Sequence, residues 1–170
     1  MALIKGFVRV PRFKLLGPPW CGRDCEQCLV EAAGRFVIFP PKLPLLLQPF
    51  WPELRIVMRW NLESLGINVA SWRIPLAERM NRLRAHLEKG QAVAVWIRSK
   101  EKSPIAGHII VVLGYDPSAR RFLVMDDRKK GSSNDERFPV GNDEWTEDKL
   151  LALWRGGWLT RNTAALAYLA

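Results

Sequence analysis

"GHIIVVLGYDPSARRFLVMDD", Gly107 to Asp127, is the stretch on which the reading of this chain turns. Two apolar, β-branched runs, "HIIVVLGY" (108–115) and "RFLVMD" (121–126), flank "DPSAR" (116–120). Val and Ile favour the extended backbone, and Asp with Pro supplies turn chemistry between them. The stretch predicts a tight β-hairpin. Neither run alternates with polar residues, so both strands are expected to be buried on both faces. A polar ring, His108, opens the first strand, and two carboxylates, Asp126 and Asp127, close the second. A hairpin brings the head of one strand beside the tail of the next, within side-chain reach.

Working outward, "QAVAVWI" (91–97) reads as a third strand. Before it, residues 75–89 predict the clearest helix, with Pro75 in its first turn and Gly90 at its exit. Leu76, Met80, Leu83 and Leu87 form one apolar face, and His86 lies off it as an expected solvated residue. After the hairpin, residues 127–145 read as a polar loop. Thr146 is placed to cap a short helix through Trp154, with Glu147 and Asp148 favourable in its first turn. "GWLTRNTAALAYLA" predicts a returning strand. Towards the N-terminus, Cys21–Ala33 favours a helix stopped by Gly34, approached by a short strand at 7–13 and a rigid "GPP" at 17–19. Residues 36–55 are proline-rich and apolar, an irregular segment, and 56–66 predict a further helix. The expectation is one α+β domain over 1–170, a mainly helical part at 1–90 and an antiparallel sheet at 91–170.

Composition narrows the function classes. The chain has 170 residues, 48% of them hydrophobic and 25% charged, which suits a globular domain with a sizeable core. Eight tryptophans supply large packing surfaces. A net charge of +9 allows an acidic partner, but the positive residues are spread out and no nucleic-acid-binding motif accompanies them, so nucleic acid is not expected. Residues 1–16 carry Lys5, Arg9, Arg12 and Lys14 and do not read as a signal peptide. The most apolar stretch, from Phe36 to Trp51, is too broken by proline to span a membrane. The three cysteines all lie between 21 and 28, a poor disulfide framework, which makes a reducing, cytoplasmic setting the expectation.

Those cysteines sit in "WCGRDCEQC" (20–28), a C-x3-C-x2-C spacing. Cys21 stands at a helix N-terminus, where the dipole and free backbone N–H groups favour thiolate and can hold a developing oxyanion. His108 and a carboxylate would then complete a nucleophile, base and orienter. Cys25 and Cys28 follow one and two turns along the helix as packed thiols. A rival reading gives Cys21, Cys25 and Cys28 to a metal. Their spacing resembles that of radical S-adenosylmethionine enzymes, which hold an iron–sulfur cluster on three such cysteines, and zinc on the same three plus a histidine is a further alternative.

The hairpin segment resembles the histidine segment of the papain-like bacteriocin-processing (double-glycine leader) peptidase family and its broad relatives. "LEKGQAVAVWI" resembles the strand before it, "DEWTEDKLLALWRGG" the closing short helix, and "CGRDCEQCLVEAAG" the nucleophile helix. The histidine half is the more specific. The resemblance implies a papain-like fold, N-terminal helices packed on a C-terminal antiparallel sheet. It implies a cysteine peptidase with Cys21 as nucleophile, His108 as general base and Asp126 as orienter, acting on a peptide or protein with no cofactor. Asp127 stands where the family usually has proline, which leaves two aspartates for one role. The family's oxyanion glutamine falls six residues before the cysteine, and here that position is Leu15. Gln48 and Gln91 are substitute donors; a papain-like binding module that does not cut is the alternative. The 36–55 segment is longer than the family norm and is expected to shape a substrate groove.

Overall fold

The computed structural model describes residues 2–3, 21–34, 69–98, 106–129, 141–155 and 162–170. Leu15, Gln48, the 7–13 strand, the 36–55 segment and the 56–66 helix lie outside the described residues. The elements run β1 (Ala2–Leu3), α1 (Cys21–Ala32), β2 (Val69–Pro75), a 3-10 turn (Leu76–Glu78), α2 (Arg79–Glu88), β3 (Val93–Arg98), β4 (Ala106–Asp116), β5 (Arg121–Met125), β6 (Asp143–Thr146), α3 (Glu147–Leu153) and β7 (Thr163–Leu169).

The strands form one antiparallel sheet in the order β2-β7-β3-β4-β5-β6. β1 extends it, pairing Ala2 and Leu3 with Tyr115 and Gly114 of β4. β4 is the longest strand and the centre of the core. Every residue from His108 to Leu113 is buried, so both its faces are covered, as an unbroken apolar run requires. α1 and α2 both pack on β3 and β4. This is the expected α+β, papain-like architecture of helices on an antiparallel sheet. No helix among the described residues is long and apolar enough to cross a membrane.

The 107–127 stretch folds as read: β4, a turn over 117–120, and β5. Asp116 Oδ1 accepts from the backbone N–H and hydroxyl of Ser118 at 2.9 and 2.6 Å, so the aspartate organises its own turn. α1 ends as expected, with Gly34 at φ +74°. Thr146 caps α3, its hydroxyl accepting from Lys149 N–H at 3.2 Å. The closing strand β7 is also where it was expected.

Four expectations need correction. Residues 69–74, unassigned in sequence, form β2 together with Pro75, so the sheet also takes strands from before residue 90. Pro75 ends that strand rather than starting a helix. It sits on an edge strand, where its missing N–H costs no ladder bond. The polar loop gives way to β6 from Asp143, because Trp145 is drawn into the core beside Phe122. His86 is buried rather than solvated. Its ring lies 4.1 Å from that of Tyr168 on β7, and its Nδ1–H donates to Gln91 Oε1 at 2.9 Å. The apolar face of α2 is wide enough to take in this ring, one turn after Leu83.

Candidate active site

The head of β4 positions His108 through a bulge. Ile97 pairs with His108 and Arg98 with Ala106, so Gly107 is an extra residue just ahead of the histidine. A bulge bends the strand and re-aims the next side chain. Across the hairpin, Val111 pairs with Met125. Continuing that register sets Asp126 opposite Ile110, which shares a face with His108 by alternation. Asp126 and His108 are therefore diagonal neighbours on one face. His108 Nε2–H donates to Asp126 Oδ1 at 2.9 Å, and both side chains are buried.

Asp126 is held from three sides. Its backbone N–H donates to Asn142 Oδ1 at 2.8 Å, and Asn142 Nδ2–H returns a bond to its carbonyl at 2.9 Å. Arg128 grips the carboxylate, Nε donating to Oδ1 at 3.0 Å and Nη2 to Oδ2 at 2.7 Å. Burial pushes the Asp126 carboxyl up, but the His108 and Arg128 bonds outweigh it and hold it well below the ordinary carboxylate range. Burial also holds His108 below its ordinary value, against the pull of Asp126. The pair is thus a neutral imidazole on an ionised carboxylate, and with Nε2 carrying the proton, Nδ1 is the basic nitrogen.

Asp127 is different. A turn closes from Lys129 N–H to Asp126 C=O at 3.0 Å, which stops Asp127 from alternating to the far face. Its Oδ1 lies 3.4 Å from His108 Nε2, yet neither carboxylate oxygen has a hydrogen-bond partner and the side chain is fully buried. Burial, Asp24 and Asp126 together push it up to about 7. Of the two aspartates, Asp126 is the one bonded to the histidine.

Cys21 opens α1, and every described side chain from Asp24 to Ala32 in this helix is buried. Cys25 Sγ–H donates to Ile109 C=O at 3.3 Å, which seats the helix against the strand residue next to His108. The expectation of an activated thiolate is corrected. Burial and the charge of Asp127 push Cys21 up to about 12, against lowering from the backbone at Ile109 and Gly22. The backbone at Ile109 and Gly22 lowers the thiol by less than the loss of its hydration raises it. Cys25 and Cys28 are buried free thiols, likewise raised by burial.

The three cysteines run along one helix, with about 10 Å of rise between Cys21 and Cys28. The metal-competent donor group that converges among the described residues is another, His108, Asp126 and Asp127, with ligand atoms within 4.8 Å of one another. Gln91, a substitute oxyanion donor in the sequence reading, is engaged by His86 instead. Sequence reasoning missed Arg128 and Asn142. Arg128 had a signal in "DDR" (126–128), since an aspartate opening a turn can bond a residue two positions on; Asn142 had none.

A family model, that of the Peptidase_C39 like family, matches residues 58–149, more than half of the chain. The chain belongs to the Peptidase_C39 like family. No curated protein matches it in sequence. Membership supports a papain-like cysteine peptidase type of function and a peptide or protein substrate. The matched range holds His108, Asp126, Asp127 and Asn142; Cys21 lies ahead of it.

Proposed function

We propose that this protein is a cysteine peptidase in which Cys21 is the nucleophile, His108 the general base and Asp126 the residue that orients it. The observation that carries the reading is the buried His108–Asp126 bond at 2.9 Å, set beside the helix that Cys21 opens. Asp126 fixes the tautomer, leaving Nδ1 of His108 to act as base. Thiol and imidazole are both neutral at rest, so the proton moves during attack, not before it. The Cys21 sulfur bonds to the acyl carbon as Nδ1 takes the thiol proton. Nδ1 then returns that proton to the departing amine as the C–N bond breaks, leaving a thioester. Water, deprotonated by the same nitrogen, attacks the thioester and releases the acid and the thiol. Backbone N–H groups at the head of α1 stabilise the oxyanion in this scheme. Peptides with Gly-Gly before the cut are the first substrates that the family resemblance supports.

The test is cleavage of a peptide library that includes double-glycine leader sequences, read by mass spectrometry. Cleavage is expected in the native protein and is expected to vanish in Cys21→Ala with the circular dichroism unchanged. Equal cleavage by Cys21→Ala would sink the reading. A second reading, a papain-like binding module, draws on the buried, protonated thiol and on Leu15 at the glutamine position. Tight binding of a library peptide without cleavage would favour it.

A further inference from the structure

Asp127 plays no part in that chemistry, yet it is the most unusual carboxylate among the described residues. Both oxygens are buried without a hydrogen-bond partner, and one lies 3.4 Å from the nitrogen that Asp126 already occupies. A carboxylate stripped of water and left unbonded is costly, and a proton or a cation is what offsets that cost. We propose that His108 Nε2, Asp126 Oδ1 and Asp127 Oδ1 form a site for a zinc-class divalent cation that reversibly blocks the imidazole. The cation binding stands apart from the hydrolytic reading; only its effect on turnover rests on that reading.

The geometry suits zinc. Bonds of about 2.0–2.2 Å in a tetrahedron set neighbouring ligand atoms about 3.3–3.6 Å apart. The observed separations from Nε2 are 2.9 and 3.4 Å, and all three donors lie within 4.8 Å. One imidazole and two carboxylates are a nitrogen–oxygen set of the zinc type, whereas calcium and magnesium take oxygen ligands in larger number. The outer partners are in place: Arg128 stays on Asp126 through Nη2 to Oδ2 at 2.7 Å and through Nε and its backbone N–H to Oδ1 at 3.0 Å, so the ion takes only the place of the His108 N–H on Oδ1, and Asn142 fixes the backbone behind it. The fourth position falls to water. Asp24, which acts on Asp127 from α1, adds negative charge, and Arg128 opposes with one positive charge.

Binding changes the histidine's proton. Zinc takes the Nε2 position as that nitrogen gives its proton to solvent and Nδ1 takes one from solvent, so the ring stays neutral and its single proton moves from Nε2 to Nδ1 with no net release from the ring. Nδ1 is the nitrogen that must accept from Cys21, so the metal switches off the base without touching the thiol.

The test is calorimetric titration of zinc into the chelator-stripped full chain, with cobalt spectra to identify donors. One zinc per chain is expected, with affinity falling more than about a hundredfold in Asp127→Asn, beyond the effect of losing an outer partner. Near-ultraviolet circular dichroism checks that this near-isosteric variant is folded; if it is not, His108→Gln carries the same comparison. Cobalt is expected to show no thiolate charge-transfer band. Absence of stoichiometric zinc, affinity unchanged in the folded variant, or a thiolate band pointing to Cys21, Cys25 or Cys28 would each overturn the assignment. Where a peptide is cleaved, zinc stops cleavage and chelator restores it. Zinc bound by a protein that cleaves nothing upholds the site and defeats the hydrolytic reading instead.

Discussion

Asp126 and Asp127 are adjacent, chemically identical, and set to opposite tasks by a turn. The first accepts from His108 and Arg128 and stays ionised; the second has neither bond and is pushed up to about 7. Replacing the first is therefore the sharper lesion. Asp126→Asn keeps the shape but removes the charge that selects the His108 tautomer, and kcat/KM on a cleaved peptide is expected to drop by about two orders of magnitude. A loss smaller than that in Asp127→Asn would make Asp126 the orienter kinetically as well as geometrically. The thiol gives a second test at this scale. Cys21 is pushed up to about 12 by burial and Asp127, and thiolate is its reactive form. A raised pKa means little thiolate at neutrality and more as pH rises. In chelator-treated protein, alkylation of Cys21 is expected to quicken about tenfold per pH unit with no plateau in the neutral range. A plateau there would indicate a preformed thiolate. Which aspartate bonds the histidine was not legible from "DD", because that depends on where the chain leaves the strand.

At the scale of elements, the hairpin and its backing strand were legible because a continuous β-branched run has few alternatives. The helix at Cys21–Ala32 was legible from its glycine stop, and α3 from its threonine cap. β2 was not, since "VASWRIP" neither alternates nor runs apolar, and its pairing with β7 joins segments far apart in sequence. β6 hid inside a polar stretch for the same reason. Its approach matters to the site. Gly141 has φ +84°, and a Cβ there would collide with the carbonyl oxygen of Val124, while the next residue, Asn142, holds Asp126. Gly141→Ala is expected to destabilise the fold by about 1–3 kcal/mol in denaturant titration. Because the same shift moves Asn142, cleavage is expected to fall further than the folded fraction does. Loss of stability with specific activity intact would separate the loop from the site.

Across the whole molecule, stability and site geometry share one strand. β4 carries His108 at its head, receives α1 and α2, and is bordered by β3, β1 and β5. Ile110 sits in the middle of it with no exposed surface. Ile110→Ala is expected to cost about 2–5 kcal/mol in equilibrium unfolding, and Ile110→Val about 0.5–1.5 kcal/mol. A cost near zero for the alanine variant would mean that β4 is not the centre of the core. What the sequence determined by itself was local: the hairpin, the glycine stop of α1, the threonine cap of α3, and the residue types a thiol hydrolase needs. Spacing and side-chain type act over a few residues, so they can be read there. Tertiary structure decided what depends on residues brought together from a distance. It buried His86 against Tyr168 and seated α1 beside Ile109. It also removed water from Cys21, so that burial outweighed the lowering by the backbone at Ile109 and Gly22, and it turned the chain after Asp126, so that Asp127 faced the imidazole with no hydrogen-bond partner of its own.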